Sequence, residues 1–220
     1  ALSADTLGSQ STAVGFNALT TQNFTTATNS LNTAVGYAAG LNVTTGIANT
    51  IIGALAGDAL TDADDNVALG YSALSSDTLG SHTTALGKDA LFSQNFTTAT
   101  DSHNTAVGHS AGVAVTTGVQ NTLIGSRAGD ALTDSDFNTA VGFDTLSADT
   151  LGARNVAVGH EALASQNFTT ATNSYNTALG FQCGRLITTG TANTLVGGEA
   201  GDAINNGTFN TFVGKDAGGA

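Results

Sequence analysis

The chain has 220 residues and combines 28 glycines with no proline, methionine or tryptophan, and only 10% of its residues are charged. This composition is poor in helix formers and favours short strands joined by tight turns, while a hydrophobic fraction of 40% argues against disorder. The net charge of −12, with five scattered basic residues, argues against nucleic-acid binding. No apolar run approaches the roughly 20 residues that a membrane span needs.

A 72-residue repeat organises the sequence. The string SADTLG at 3–8 returns as SSDTLG at 75–80 and as SADTLG at 147–152, so the repeat units are 3–74, 75–146 and 147–218. The ends lie in phase with the repeat and the chain does not start with Met. We therefore expect a fragment of a longer protein, folded as one continuous solenoid.

A shorter motif, N-T-A-V-G-x-x-A, occurs four times in each unit. Its glycines are Gly15, Gly36, Gly53, Gly70, Gly87, Gly108, Gly125, Gly142, Gly159, Gly180, Gly197 and Gly214, with spacings of 21, 17, 17 and 17 that then recur. Fixed spacing lets each coil meet its neighbour in the same register. The motif therefore predicts an all-β parallel β-solenoid of about twelve coils, arranged as three 72-residue super-repeats.

Both faces of each predicted strand are apolar. The residue before the motif glycine is always Val, Leu or Ile, and the residue before that is mostly Ala, with larger side chains at Ile51, Leu123, Leu195 and Phe212. Since neighbouring strand residues point to opposite faces, one face lines the lumen and the other needs a cover. The sequence leaves open whether these four residues belong to the core or to an oligomer interface, and which face is the lumen.

An asparagine opens most copies of the motif, and we expect these side chains to form a structural ladder. Its members are Asn32, Asn49, Asn66, Asn104, Asn121, Asn138, Asn155, Asn176, Asn193 and Asn210. Stacked side-chain amides can hydrogen-bond to the copies in neighbouring coils. The lone Cys183 occupies a column otherwise filled by small residues, which predicts a buried and unreactive thiol.

Two kinds of loop are candidates for ligand contacts. The extra residues of each 21-residue coil predict a surface loop around Phe24, Phe96 and Phe168, where a glycan or another ligand could bind. Asp62 and Asp64 in the first unit, and Asp134 and Asp136 in the second, alternate as calcium ligands do. The third unit lacks these carboxylates, and exposed turns explain the same residues, so no cofactor is expected and calcium is the alternative.

The sequences NTAVGYAAG (32–40), NTLIGSRAG (121–129) and NVAVGHEAL (155–163) resemble the head repeats of trimeric autotransporter adhesins and the NTAVG-type repeats of phage tail fibres. The resemblance implies parallel β-rolls from three chains, intertwined or side by side about one axis. It also implies an extracellular location, on a virion fibre or a bacterial surface, with no catalytic residues to transfer. The adhesin coils are shorter than the 17- and 21-residue coils here.

These observations together predict a non-enzymatic structural segment, the shaft or head of a homotrimeric attachment fibre that meets a host or environmental surface. A self-assembling filament is the first alternative, because the ends of a solenoid expose unpaired strand edges. An ice-binding solenoid is the second, although it would be expected to carry regular Thr-x-Thr rows. The expected partners are further copies of the chain and a host surface, with no nucleic acid and no membrane span.

Overall fold

The computed structural model describes residues 1–219, and the chain folds as an all-β parallel β-solenoid of about twelve coils. No helix occurs among the residues that it describes. The predicted fold class is therefore confirmed. The coils are distributed over two compact units, Ala1–Ala106 and a second that begins at Val107.

Each coil contributes one three-residue strand, and some coils add a two-residue strand. The strands are β1 (Gly8–Ser9), β2 (Thr12–Val14), β3 (Thr28–Asn29), β4 (Thr33–Val35), β5 (Thr50–Ile52), β6 (Val67–Leu69), β7 (Gly80–Ser81), β8 (Thr84–Leu86), β9 (Thr100–Asp101), β10 (Thr105–Val107), β11 (Thr122–Ile124), β12 (Thr139–Val141), β13 (Gly152–Ala153), β14 (Val156–Val158), β15 (Thr172–Asn173), β16 (Thr177–Leu179), β17 (Thr194–Val196) and β18 (Thr211–Val213). Strands this short match a motif with only three extended positions.

The three-residue strands pair in parallel and in register with the repeat. In the first unit the ladder runs β2–β4–β5–β6–β8, and Ala34 faces Ile51 while Val35 faces Ile52. In the second unit it runs β11–β12–β14–β16–β17–β18. The two-residue strands form the separate parallel pairs β1–β3, β7–β9 and β13–β15, one in each 72-residue repeat.

The middle residue of each long strand points into the lumen of its own coil. The fully buried members are Ala34, Ile51, Ala68, Ala85, Ala106, Leu123, Ala140, Ala157, Ala178 and Leu195. Ile51, Leu123 and Leu195 are therefore core residues and are not available to a second chain, while Phe212 is half-buried in the last strand. The column that the sequence left open between core and interface is the lumen.

The fourth position after each motif glycine completes this core in one of two ways. Some coils place a buried leucine there, such as Leu74 or Leu91. Other coils place a glycine there, four of them together with a large strand residue and three together with alanine. A Cβ on Gly129 would lie 2.8 Å from the side chains of both Leu123 and Leu132, so this coil has no room for a second leucine.

Candidate functional site

The first and third residues of the long strands form the outer face of each unit, and this face is the main candidate for function. The third position carries Val14, Val35, Ile52, Leu69, Leu86, Val107, Ile124, Val141, Val158, Leu179, Val196 and Val213, all exposed or half-buried. Leu69 is 40% exposed, whereas Ala68 beside it is 0% exposed. The first position is mostly threonine, and no strand residue of either column carries a charge. Each unit therefore presents an uncharged, largely aliphatic row to solvent.

An aromatic column borders the outer face, formed by the residues that directly follow the motif glycines. Its rings are Phe16, Tyr37, Tyr71, His109, Phe143, His160 and Phe181. His160 stacks between Phe143 and Phe181, with 5.4 Å between ring centroids on each side, and the Arg127 guanidinium lies 5.3 Å from the Phe143 centroid. The Phe143 and Phe181 side chains are also exposed, so the column extends the apolar surface of the outer face.

The asparagine ladder lies inside the turn that precedes each strand. Asn49 N donates to Asn32 Oδ1 (2.9 Å), and Asn66 N donates to Asn49 Oδ1 (3.0 Å). The Asn49 amide group also donates to Ala63 O (2.7 Å), a backbone acceptor in the next coil. In the second unit the same backbone-to-amide bonds join Asn121 to Asn138, Asn138 to Asn155, Asn155 to Asn176, Asn176 to Asn193 and Asn193 to Asn210. The side chains thus replace backbone partners that a tight turn cannot supply.

A buried aspartate organises the long coil, and sequence reasoning missed it. Asp77 is 0% exposed, and its Oδ1 accepts hydrogen bonds from Gly80 N (3.0 Å) and Phe96 N (3.1 Å). Its Oδ2 accepts from Gln94 Nε2 (2.6 Å), and Asn104 Nδ2 donates to Gln94 Oε1 (2.9 Å). Donors on both oxygens make a buried carboxylate tolerable, so Asp77 ties the long loop to the asparagine ladder.

The same arrangement recurs in the other two repeats. Gln166 Nε2 donates to Asp149 Oδ2 (2.6 Å), and Gln22 Nε2 donates to Asp5 Oδ2 (2.5 Å). The Asp of S-x-D-T-L-G and the Gln of Q-N-F-T-T-A-T are identical in all three units, which is the one signal that the sequence offers. The two threonines after the loop phenylalanine are identical and exposed, so identity between repeats did not by itself distinguish the buried pair.

The loops around Phe24, Phe96 and Phe168 reach the surface, but the rings do not. Their side chains are 5%, 5% and 7% exposed. The exposed residues of the second loop include Asn95, Thr97, Thr98 and Ala99. Ligands that stack on an aromatic ring, as sugars do, therefore find no exposed ring here, and the loops offer small polar side chains instead.

The acidic turns are occupied by hydrogen bonds from the preceding coil. Asp62 Oδ1 accepts from Thr45 Oγ1 (2.6 Å), and Asp64 Oδ1 accepts from Ile47 N (2.7 Å). Asp134 and Asp136 accept equivalent bonds from Thr117 Oγ1 and Val119 N, both at 2.8 Å. Within residues 1–219, no three His, Cys, Asp or Glu side chains converge as metal ligands would. Coil-to-coil hydrogen bonding thus accounts for the alternating carboxylates.

Cys183 lies fully buried in the small-residue column. Burial raises the pKa of its thiol to about 11, and Sγ contacts Ala200 O at 3.5 Å. Because the thiolate is the reactive form, the folded chain holds this thiol in its unreactive state at neutral pH.

We expect Cys183 to resist thiol reagents while the chain is folded. At pH 8 a disulfide reagent should label the native chain at least roughly 100-fold more slowly than the same chain in denaturant, since both exposure and thiolate fraction are lost. The measurement is the absorbance of the released thiol under both conditions. Equal native and denatured rates would contradict the buried placement.

Two of the four histidines, His82 and His103, lie next to each other and do not belong to the aromatic column. His82 Nδ1 is 3.0 Å from Asp101 Oδ1, and the His82 and His103 rings are 5.3 Å apart.

Among the residues that the structure describes, no helix has the length and apolar character of a membrane span. Comparison with protein-family models, curated proteins and solved structures finds no match to this chain.

Proposed function

We propose that this chain is a non-enzymatic structural segment, the shaft or head of an extracellular attachment fibre, and that copies of it associate through the outer face. The observation that carries the proposal is the exposed aliphatic column beside a lumen that is already filled. The core of each coil is complete without it, so this column is free to be buried against another chain. The β-solenoid fold is compatible with such a mechanical role.

The exposure and position of the column support self-association. Monomeric proteins rarely expose contiguous apolar patches above a few hundred Å², and parallel sheets are normally covered on both faces. In the first unit Val35, Ile52, Leu69 and Leu86 form one row, with Tyr37 and Tyr71 alongside. Rungs about 4.8 Å apart continue this row through every coil of a unit.

The charge distribution supports the same partner. The chain carries 17 acidic residues, so two copies repel each other over most of their surface. None of the first- or third-position strand residues is charged. The outer face is therefore where copies can approach without bringing carboxylates together, and closed rotational symmetry would bring equivalent faces to one axis. A homotrimer is the assembly that the adhesin-like motifs favour.

We expect the chain in solution to sediment at three times its own mass at micromolar concentration. The double variant Leu69→Asp with Leu86→Asp should sediment as a monomer, since it places two buried charges in the interface. Phe92→Asp is the matched control, because Phe92 is similarly exposed but lies outside the outer face. If the unmodified chain sediments strictly as a monomer, the proposal is wrong. A mass that increases steadily with protein concentration would favour the filament.

Ice binding is the second candidate, because the threonine column lies beside the aliphatic column on the outer face. The ladder threonines Thr33, Thr50 and Thr84 are half-buried, and their hydroxyls donate to no other residue in the described part of the chain. Regular rows of hydroxyl and methyl groups could order water. A freezing-hysteresis measurement tests this role, and the absence of hysteresis removes it.

A further inference from the structure

We propose that Asn206 is a site of spontaneous modification, at which the side-chain amide is lost as ammonia through a succinimide. Asn206 and Gly207 form the only Asn-Gly pair in the sequence, and Asn206 is exposed. The equivalent residues of the other two repeats, Asp62 and Asp134, are exposed as well, so the exposure belongs to this turn. The reaction needs an activated amide carbon and a free backbone nitrogen, and the turn supplies both.

The amide carbonyl is polarised by hydroxyl groups of the preceding coil, chiefly that of Thr189. Asn206 Oδ1 accepts a hydrogen bond from Thr189 Oγ1 (3.1 Å) and also lies 2.8 Å from Thr188 Oγ1, whose single hydrogen is shared with Asn205 Oδ1. Negative charge develops on this oxygen when a nucleophile adds to the amide carbon. Donors already aimed at the oxygen stabilise that charge as the donors of an oxyanion hole do.

The attacking group is the backbone nitrogen of Gly207, and it is not held elsewhere. Gly207 N donates no hydrogen bond to any residue between 1 and 219. Glycine also has no side chain to crowd ring closure. The two Asn-Ser pairs of the same chain differ, because Ser30 N donates to Ser9 O (2.9 Å) and Ser174 N donates to Ala153 O (3.0 Å). Those nitrogens are fixed in coil-to-coil hydrogen bonds.

The reaction balances in atoms and bonds with water as its only further reagent. Gly207 N forms a bond to Asn206 Cγ, the bond from Cγ to Nδ2 breaks, and ammonia leaves with the proton from Gly207 N. Water then opens the five-membered imide at either carbonyl. One opening gives an ordinary aspartyl residue, and the other gives an isoaspartyl residue whose main chain runs through the former side chain.

The aspartyl product matches what the other repeats already contain. Asp62 and Asp134 occupy the equivalent position, and each accepts a hydrogen bond from a threonine hydroxyl of the preceding coil. Thr189 would donate to the new carboxylate in the same way. The isoaspartyl product lengthens the main chain at Gly207, whose carbonyl oxygen accepts from Asn193 Nδ2 (2.8 Å), and so displaces a rung of the asparagine ladder.

The test follows deamidation of the intact chain at mildly alkaline pH. Peptide mass spectrometry quantifies Asn206, Asn29 and Asn173 over time, and an isoaspartate methyltransferase assay counts the isoaspartyl product. We expect Asn206 to react at least roughly tenfold faster than either Asn-Ser site, equivalent to about 1.4 kcal/mol in the barrier. We also expect the native rate at Asn206 to equal or exceed its rate in the denatured chain. A slower native rate would overturn the proposal.

Variants of Thr189 separate activation by the turn from the intrinsic reactivity of the Asn-Gly pair. Thr189→Val should slow the native reaction about three- to tenfold, less than the 10²–10³ lost with a buried oxyanion donor because this site is exposed. Thr189→Ser keeps the hydroxyl and should restore the rate. Both variants should match the unmodified chain in denaturant. An unchanged native rate in Thr189→Val overturns the activation by hydroxyl groups.

Discussion

Replacing Gly53 by alanine should destabilise the folded chain by roughly 3–5 kcal/mol, the range of a strained backbone combined with a steric overlap. Gly53 has a φ of 135°, a region that residues with a Cβ avoid. A Cβ here would lie 2.7 Å from the carbonyl carbon of Gly70 in the next coil and overlap its oxygen. Because that contact is backbone to backbone, no rotamer change relieves it. Urea unfolding followed by circular dichroism measures the loss.

Gly198→Ala is the matched control. Gly198 follows a motif glycine directly, in the column where the first repeat has Ala54, and a Cβ there meets no atom within 4 Å. The unfolding free energy of the Gly198→Ala variant should stay within about 0.5 kcal/mol of the value for the unmodified chain. Equal stability of the two alanine variants would show that stacking does not depend on the motif glycine.

The number and register of the coils could be predicted from the repeated motif, because a fixed spacing places equivalent residues in columns. The strand that begins at Thr50, the motif glycine and the buried Asn49 all follow from that register. The register did not predict which face of the strand points into the lumen. Both faces are apolar, and alternation alone does not say which of them is buried. The prediction therefore left core and interface open.

Size complementarity within the chain could have resolved the orientation. Four coils carry a large middle residue, and each of these coils has glycine four residues after the motif glycine; the large residues are Ile51, Leu123, Leu195 and Phe212. A Cβ on Gly201, for example, would lie 2.9 Å from Leu195. No coil combines a leucine at that fourth position with a large strand residue, although three coils combine glycine with alanine. Two positions that are never both large compete for space in one lumen.

The long loop was harder to predict because its determinants are polar and distant in sequence. Phe96 was expected at the surface, since extra residues in a solenoid go to loops. Its ring is instead packed against Gly80, where a Cβ would lie 2.8 Å from the ring, while its backbone nitrogen binds Asp77. A buried carboxylate cannot be recognised from composition, because Asp is most often exposed. Its identity across the three repeats does not distinguish it either, because exposed residues of the loop, such as Thr97, are identical too.

Asn49→Ala should destabilise the chain by roughly 2–5 kcal/mol, because two buried backbone groups would lose their partners. Asn49 is 0% exposed, its Oδ1 accepts from Asn66 N, and its Nδ2 donates to Ala63 O. Asn42→Ala is the matched control. Asn42 is exposed and its side chain makes no hydrogen bond to a described residue, so a change within about 0.5 kcal/mol is expected. Urea unfolding of both variants measures the difference.

Asn49→Asp separates the hydrogen bond from the packing, because the two side chains have nearly the same shape. The introduced carboxylate still accepts from Asn66 N, but it places an oxygen against Ala63 O, where Asn49 Nδ2 donates at 2.7 Å. Repulsion and burial should raise the pKa of that carboxyl above its unfolded value of about 3.9. The loss of unfolding free energy relative to the unmodified chain is therefore largest above the folded-state pKa. It becomes smaller as the pH falls through that pKa, since the protonated carboxyl group can donate to Ala63 O. A stability gap to the unmodified chain that widens in acid would contradict the ladder geometry.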